Sequence, residues 1–151
     1  MKKNKITKEF LQSLGFTRCD ENGQLWKDDY PVCYCKIWTK HPYGKNKYYL
    51  GFAYYDAEWY KQQMVKFKNG ELKNRPAGIK MMLVARAVYA WFHGETPDNK
   101  DICHKDDNPD NNHIDNLEAL SHGENIRNRK IKGACKYRNY YTVNGLVKEN
   151  E

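Results

Sequence analysis

From Cys103 to Asn125 the chain concentrates side chains able to move protons or hold cations. His104, His113 and His122 lie among Asp106, Asp107, Asp110 and Asp115, and amides stand at Asn108, Asn111, Asn112, Asn116 and Asn125. Between Glu95 and Glu124 nine acidic residues stand against two lysines. Directly after them, Ile126 to Arg138 carries Arg127, Arg129, Lys130, Lys132, Lys136 and Arg138 without one acid. An acidic loop abutting a basic strip suits a metal-dependent site on a polyanion, with oxygen ligands for the cation and Lys or Arg for phosphates. On charge alone, a solvated surface with clustered charges has equal weight.

Those residues need elements to position them. Asp107-Asn108-Pro109 reads as a turn with Ile102 before it and Ile114, Leu117 and Leu120 after it, which predicts a two-strand hairpin with an elaborated loop. Ser121-x-x-Glu124 reads as a capping box, Ser121 accepting from the Glu124 amide and Glu124 reaching back. Asn125 is then the fourth helical residue, where a hydrophobic staple would pair an apolar side chain with Leu120. A poor helix former in place of an expected core contact is a local inconsistency of the kind that falls at functional sites. Strand, loop, strand and helix let His104, Asn116 and Asn125 converge if the hairpin folds onto the helix start.

The remainder reads as the scaffold of an α+β protein. Thr7 caps a short helix carrying Phe10, Leu11 and Leu14, which Gly15 ends. Residues 16–75 read as strands, dense in aromatic and β-branched residues over Pro31 to Trp38 and Lys47 to Tyr55. Asn22-Gly23 and Asn69-Gly70 are expected hairpin turns, the second after the alternation Met64-Val65-Lys66-Phe67-Lys68. Pro76 to Gly78 is the expected boundary. Beyond it, Lys80 to His93 places Val84, Ala87, Val88, Trp91 and Phe92 at helical spacing before Gly94, an aromatic stripe expected in the core. The expected organisation is a β-rich N-terminal module with a short first helix (1–75), a site-bearing core (76–138) and a C-terminal tail (139–151).

Composition narrows the class. The chain has 151 residues, 26 Lys plus Arg against 19 Asp plus Glu for a net +7, and 40% apolar residues. That length allows one compact domain, or a small domain with an appendage. Residues 1–75 hold fifteen basic and eight acidic side chains, a surplus of seven, so the second half is neutral overall. A mean hydropathy of −1.00 and apolar runs no longer than six residues (Ala87 to Phe92) exclude a membrane-spanning helix. Met1 to Phe16 lacks the apolar stretch of a secretory signal. Five cysteines without a C-x-x-C pair are expected to be reduced thiols of a cytosolic protein. A zinc site built from Cys19, Cys33 and Cys35 is outweighed by the alternation of a strand.

The run around His104 resembles the HNH nucleases with a ββα-metal fold, particularly the branch found in phage and intron-encoded homing endonucleases. The matching positions are His104, Asn116 twelve residues later and Asn125 nine after that. Asn111-Asn112-x-x-x-Asn116-Leu117 is the family's typical run, and Val84 to Glu95 resembles the helix that precedes it. The resemblance covers roughly residues 80–130. It implies a ββα-metal core behind a small antiparallel β-rich module, and a metal-dependent endonuclease that hydrolyses phosphodiester bonds in DNA, by nicking or double-strand cutting. It also implies that His104 is the general base, that Asn116 fixes the orientation and tautomer of the His104 ring, and that Asn125 ligates one divalent cation, Mg²⁺ or Mn²⁺, through its side-chain oxygen. These roles agree with elementary chemistry: histidine titrates near neutral pH, needs a partner to define its free nitrogen, and a hard cation on oxygen supplies the Lewis acid.

One position departs from the pattern. The residue before the base is commonly Asp in this branch and serves as the second metal ligand; here it is Cys103. A soft thiolate shifts the expected ion toward Mn²⁺ or Zn²⁺. Alternatively Asp101, on the same strand face by two-residue alternation, reaches the metal, and His122 is a further candidate. The third alternative is loss of cleavage.

The expected partner is double-stranded DNA, its backbone held by the strip from Arg127 to Arg138 and by the N-terminal lysines. No membrane or small-molecule cofactor is expected, and the expected location is the cytoplasm of a bacterial host, at the nucleoid. Two rival readings stand beside this one. The first is a catalytically impaired DNA-binding or regulatory protein on the same scaffold, favoured by Cys103. The second is a protein-binding module whose partner engages exposed tyrosines of residues 1–75. The C-terminal helix-turn-helix reader of the intron-encoded relatives has no counterpart after Arg138, so recognition is expected from residues 1–75. His41 and His93 are expected at the surface and His113 in a structural role, and Asp106, Asp107 and Asp110 are expected to shape the loop.

Overall fold

The computed structural model describes residues 5–39 and 47–131, with side chains up to Arg127. Thr7 Oγ1 accepts from the Phe10 amide at 3.1 Å and starts α1 (Lys8–Ser13), and Gly15, at φ +100°, turns the chain away. An N-cap of this type contributes about 1 kcal/mol. β1 (Arg18–Cys19), β2 (Leu25–Lys27) and β3 (Tyr30–Pro31) make a small antiparallel sheet in the order β1-β2-β3. The expected turn at Asn22-Gly23 lies between its first two strands. β4 (Cys35–Thr39), β5 (Lys47–Tyr55) and β6 (Ile79–Leu83) form a second antiparallel sheet in the order β4-β5-β6. α2 (Ala57–Lys68) connects β5 to β6, and α3 (Val84–His93) follows β6 without a break. β7 (Lys100–His104) and β8 (Leu117–Ser121) pair as a hairpin, with a single 3₁₀ turn (Ile114–Asn116) before β8 and α4 (His122–Ile131) after it. The class is α+β, as expected.

Two expectations about local structure are corrected. Met64 to Lys68 belongs to α2, because Asp56 Oδ1 accepts from the Trp59 amide at 3.0 Å and launches a helix through residues of good helix propensity. Asn69-Gly70 therefore stops a helix instead of turning a hairpin: Gly70 takes φ +79° and the Glu71 amide returns to the Lys66 carbonyl at 2.9 Å. The helix expected from Lys80 begins at Val84, because Ile79 to Leu83 complete the ladder on β5, with Met82 opposite Phe52. The aromatic stripe of α3 is also less buried than expected. Phe92 is 40% exposed, and Val84, Ala85, Ala87, Val88 and Ala90 face the core.

The buried residues form one cluster drawing on Leu11, Phe16, Leu25, Phe52, Met82, α3 and Leu117. Phe16 and Phe52 meet edge to face with centroids 5.2 Å apart. Burying a side chain of this size contributes about 1.5–3 kcal/mol. Residues on both sides of Pro76 to Gly78 enter this cluster, and β6 pairs with β5 across that segment. The first residues are sewn to the stretch after α3: the Ile6 amide donates to Thr96 Oγ1 at 3.0 Å and the Lys8 amide to the Gly94 carbonyl at 2.8 Å. The tail 139–151 lies outside the described residues. Among those described, no helix is long and apolar enough to cross a membrane.

The β1–β2 hairpin reaches the loop between β7 and β8. Gly23 sits at φ +87°, and a Cβ there would run into the carbonyl and Cβ of Asn112. The Ile114 amide donates to the Glu21 carbonyl at 2.9 Å. The Tyr34 hydroxyl accepts from the Leu25 amide and donates to the Gly23 carbonyl, both at 2.8 Å, which steadies the turn from behind. Gly23→Ala is therefore expected to cost about 1–3 kcal/mol in chemical denaturation, from left-handed strain and collision together. A variant as stable as the parent would show that this approach relaxes without cost.

Candidate active site

His104, the last residue of β7, is buried at 9% exposure opposite Leu117. Its Nε2 lies 2.9 Å from Oδ1 of Asn112, itself 3% exposed. The Asn112 amide is oriented by donating from Nδ2 to the Pro109 carbonyl at 3.3 Å, so its oxygen is the atom turned to the ring. An amide oxygen only accepts. Nε2 therefore carries the proton in the neutral ring, and Nδ1 is the basic nitrogen.

The hydrogen bonds of Asn116 go to the loop. Its side chain does not touch the imidazole. Asn116 Nδ2 donates to Asp106 Oδ1 at 2.9 Å and to the Asn111 carbonyl at 2.8 Å, while Oδ1 accepts from the Asp106 amide at 3.2 Å. Asn116 thus clasps the two ends of the loop that carries Asn112. The loop acids behave as expected: Asp107 takes φ +59°, Asp106 gathers amides, and Asp110 accepts from the Tyr48 hydroxyl at 2.7 Å. His113 caps the 3₁₀ turn, its Nδ1 accepting from the Asp115 amide at 3.1 Å.

Hydrogen bonds from Asn111, from the Asn108 amide and from Asn116 pull the Asp106 carboxyl down to about 2. A depressed carboxylate contributes stability that is complete above its unfolded value, about 3.9, and is lost as pH falls through the folded one. The side-chain amide signals of Asn111 and Asn116 are therefore expected to hold their NMR positions until the pH approaches about 2. Titration of those signals near 4 would remove Asp106 from the clasp.

The second cluster lies where β7 meets α4. The capping box forms as expected: the Ser121 amide donates to Glu124 Oε2 at 2.9 Å and the Glu124 amide to Ser121 Oγ at 3.2 Å. These bonds, the Ser121 amide first, hold the Glu124 carboxyl below its usual range. With the helix start so defined, Asp101 Oδ2 stands 3.3 Å from Asn125 Nδ2 and 3.2 Å from His122 Nδ1. Asp101 is the sheltered member, with its side chain 20% exposed against 80% for His122. Arg86 of α3 joins Asp101 and Asn125 at a cavity of about 220 Å³ lined also by His104 and Asn112. Burial lowers the Arg86 pKa, and the charge of Asp101 opposes that shift.

Among the described residues no three His, Cys, Asp or Glu side chains group to hold a metal ion. With the amide of Asn125 counted, one carboxylate, one imidazole nitrogen and one amide oxygen become available once the amide turns. That set fits a divalent cation that prefers oxygen and nitrogen. Cys103 Sγ lies 3.8 Å from the Asp101 carbonyl, and the side chain lines a larger cleft with His104 and Asn125. Among the described residues, Cys19, Cys33, Cys35 and Cys103 take part in no disulfide. Burial pushes Cys19 up to about 12, which leaves it unreactive.

Of the expected phosphate-binding residues, Arg127 is exposed on α4 and Arg129 and Lys130 belong to the same helix. Lys132, Lys136 and Arg138, like His41, lie outside the described residues. Sequence reasoning missed the roles of Asn112 and Arg86. Asn112 stood in the motif run already, and Arg86 interrupts an apolar helix stripe, which was the available signal. It also missed Trp38, Lys47, Tyr48 and Tyr49, which form the far wall of the larger cleft, about 360 Å³ in volume. No motif marked them.

A histidine at the end of one strand, an antiparallel return strand and a helix whose fourth residue faces an acid make a ββα unit. Residues 83–127, from the end of β6 into α4, match the family model described as HNH endonuclease. At the level of the family, such a domain is a nuclease acting on DNA, generally with a divalent metal. No curated protein and no solved structure matches the chain.

Proposed function

We propose that the protein is a metal-dependent endonuclease that hydrolyses phosphodiester bonds in double-stranded DNA. The observation that carries this reading is the His104–Asn112 pair, which leaves one ring nitrogen committed as donor and the other basic. In this mechanism Nδ1 of His104 takes a proton from the attacking water, Asn112 holds the ring, and Asn116 holds Asn112 through the loop. Asp101 and Asn125, with His122 beside them, would hold the cation, which supplies Lewis-acid stabilisation of phosphate charge when bound. Asp101 stands in for the acid that Cys103 replaces, and its oxygen chemistry favours Mg²⁺ or Mn²⁺ over a softer ion. Arg127, with the basic residues after it, would meet the DNA backbone and position it without reading sequence.

The reading is tested by incubating supercoiled plasmid with the full chain and Mg²⁺ or Mn²⁺. Relaxed or linear product that disappears with EDTA is expected. Cleavage unaffected by chelation would remove the metal, and none under either ion would remove the activity.

A further inference from the structure

The second sheet gives the larger cleft a wall that the hydrolytic chemistry does not use. Trp38 on β4 stands opposite Tyr48 on β5. Their rings meet edge to face with centroids 5.1 Å apart, and Trp38 is 60% exposed. Lys36, on the same side of the pleat as Trp38, holds its ammonium 4.6 Å from the centre of the Tyr48 ring. Tyr49, the next residue of β5, stacks on His104, the two rings within 19° of parallel and 6.4 Å apart. The Tyr48 hydroxyl, bonded to Asp110, ties this wall to the loop that orients His104.

Trp38, Tyr48, Tyr49 and Lys47 share their cleft with His104 and Asn125, so whatever binds the rings lies beside the hydrolytic site. At about 360 Å³ the cleft sits near the lower end of ligand pockets, about 300–1,000 Å³. That room suits one base with its sugar. Aromatic faces flanked by ammonium groups are the chemistry that stacks an unpaired base while cations meet its phosphates. Unstacking a paired base is costly, and far less so at a bulge or mismatch. Resting on the nuclease reading above, we propose that Trp38 and Tyr48, with Lys36 and Lys47, form a base-binding site beside the scissile phosphate. The preferred substrate is then duplex DNA with an unpaired or extruded nucleotide at the cleavage position.

The test measures fluorescence anisotropy of the full chain in EDTA on a paired duplex and on the same duplex carrying a one-nucleotide bulge. The bulged DNA is expected to bind about tenfold tighter, Trp38→Ala to remove that preference and Trp38→Phe to keep most of it. Lys36→Gln leaves every ring in place, and is expected to weaken bulge binding and flatten its salt dependence. Equal affinity for the two DNAs, or a preference that survives both Trp38→Ala and Lys36→Gln, overturns the base site. The same DNAs incubated with Mn²⁺ report cleavage separately. A chain that cuts neither DNA yet still prefers the bulge overturns the nuclease reading and leaves the base site standing.

Discussion

Replacing His104 with alanine is expected to slow plasmid cleavage by about 10²–10⁴-fold, the range that a positioned general base supplies. The loss falls on the chemical step, because Nδ1 is the only basic nitrogen that the ring offers once Asn112 has claimed Nε2. Binding to DNA in EDTA should persist, since the residues proposed to meet the backbone lie elsewhere. Asn112→Asp probes the same pair from the other side: it keeps an acceptor but adds a negative charge, which favours the protonated ring. Asn112→Asp is therefore expected to cut plasmid more slowly than the parent. Truncating the histidine also leaves the Asn112 amide oxygen without its donor, a cost of about 1–3 kcal/mol, so a melting curve accompanies the kinetics. A folded His104→Ala protein that cuts plasmid at the parental rate would sink the mechanism.

Asp101→Ala is expected to have the next largest effect, about 10²–10³-fold in rate, because a Lewis acid at phosphoryl oxygen supplies several kcal/mol. Asp101 contacts both His122 and Asn125, so its removal takes the anionic donor from the set. The signature that separates it from His104→Ala is its dependence on metal concentration. Raising Mn²⁺ should recover part of the rate of Asp101→Ala and none of that of His104→Ala. Cys103→Ala is expected to cost far less than Asp101→Ala. The reverse order would move the ion to the thiol and bring back the softer metals, Zn²⁺ among them.

The site was legible in the sequence to the extent that its geometry is local. The capping box of Ser121 and Glu124 and the cap of Thr7 are bonds between residues three apart, and both formed as read. The hairpin of β7 and β8 followed from apolar flanks around a turn. The same locality misled at Met64 to Lys68, where five alternating residues fit a strand but the cap at Asp56 governed the outcome. It misled again at Lys80 to Leu83, which the helix expected up to His93 took in and which belong to β6. Pairing with β5 decided for the strand, and no short window contains that partner.

The sequence by itself determined the residue types of the site, the caps and glycine turns around it, and the α+β class, since each rests on backbone bonds or steric limits within a few residues. Only the tertiary structure decided that Asn112 holds His104 while Asn116 closes the loop. The choice depends on how far the loop folds back, and Gly23 and Glu21 set that from another sheet. It decided likewise that Asp101 meets Asn125, twenty-four residues on, and that Trp38 and Tyr48 face the cleft of His104. These contacts join segments far apart in sequence, and the shared core, through packing that no local pattern encodes, brings them together.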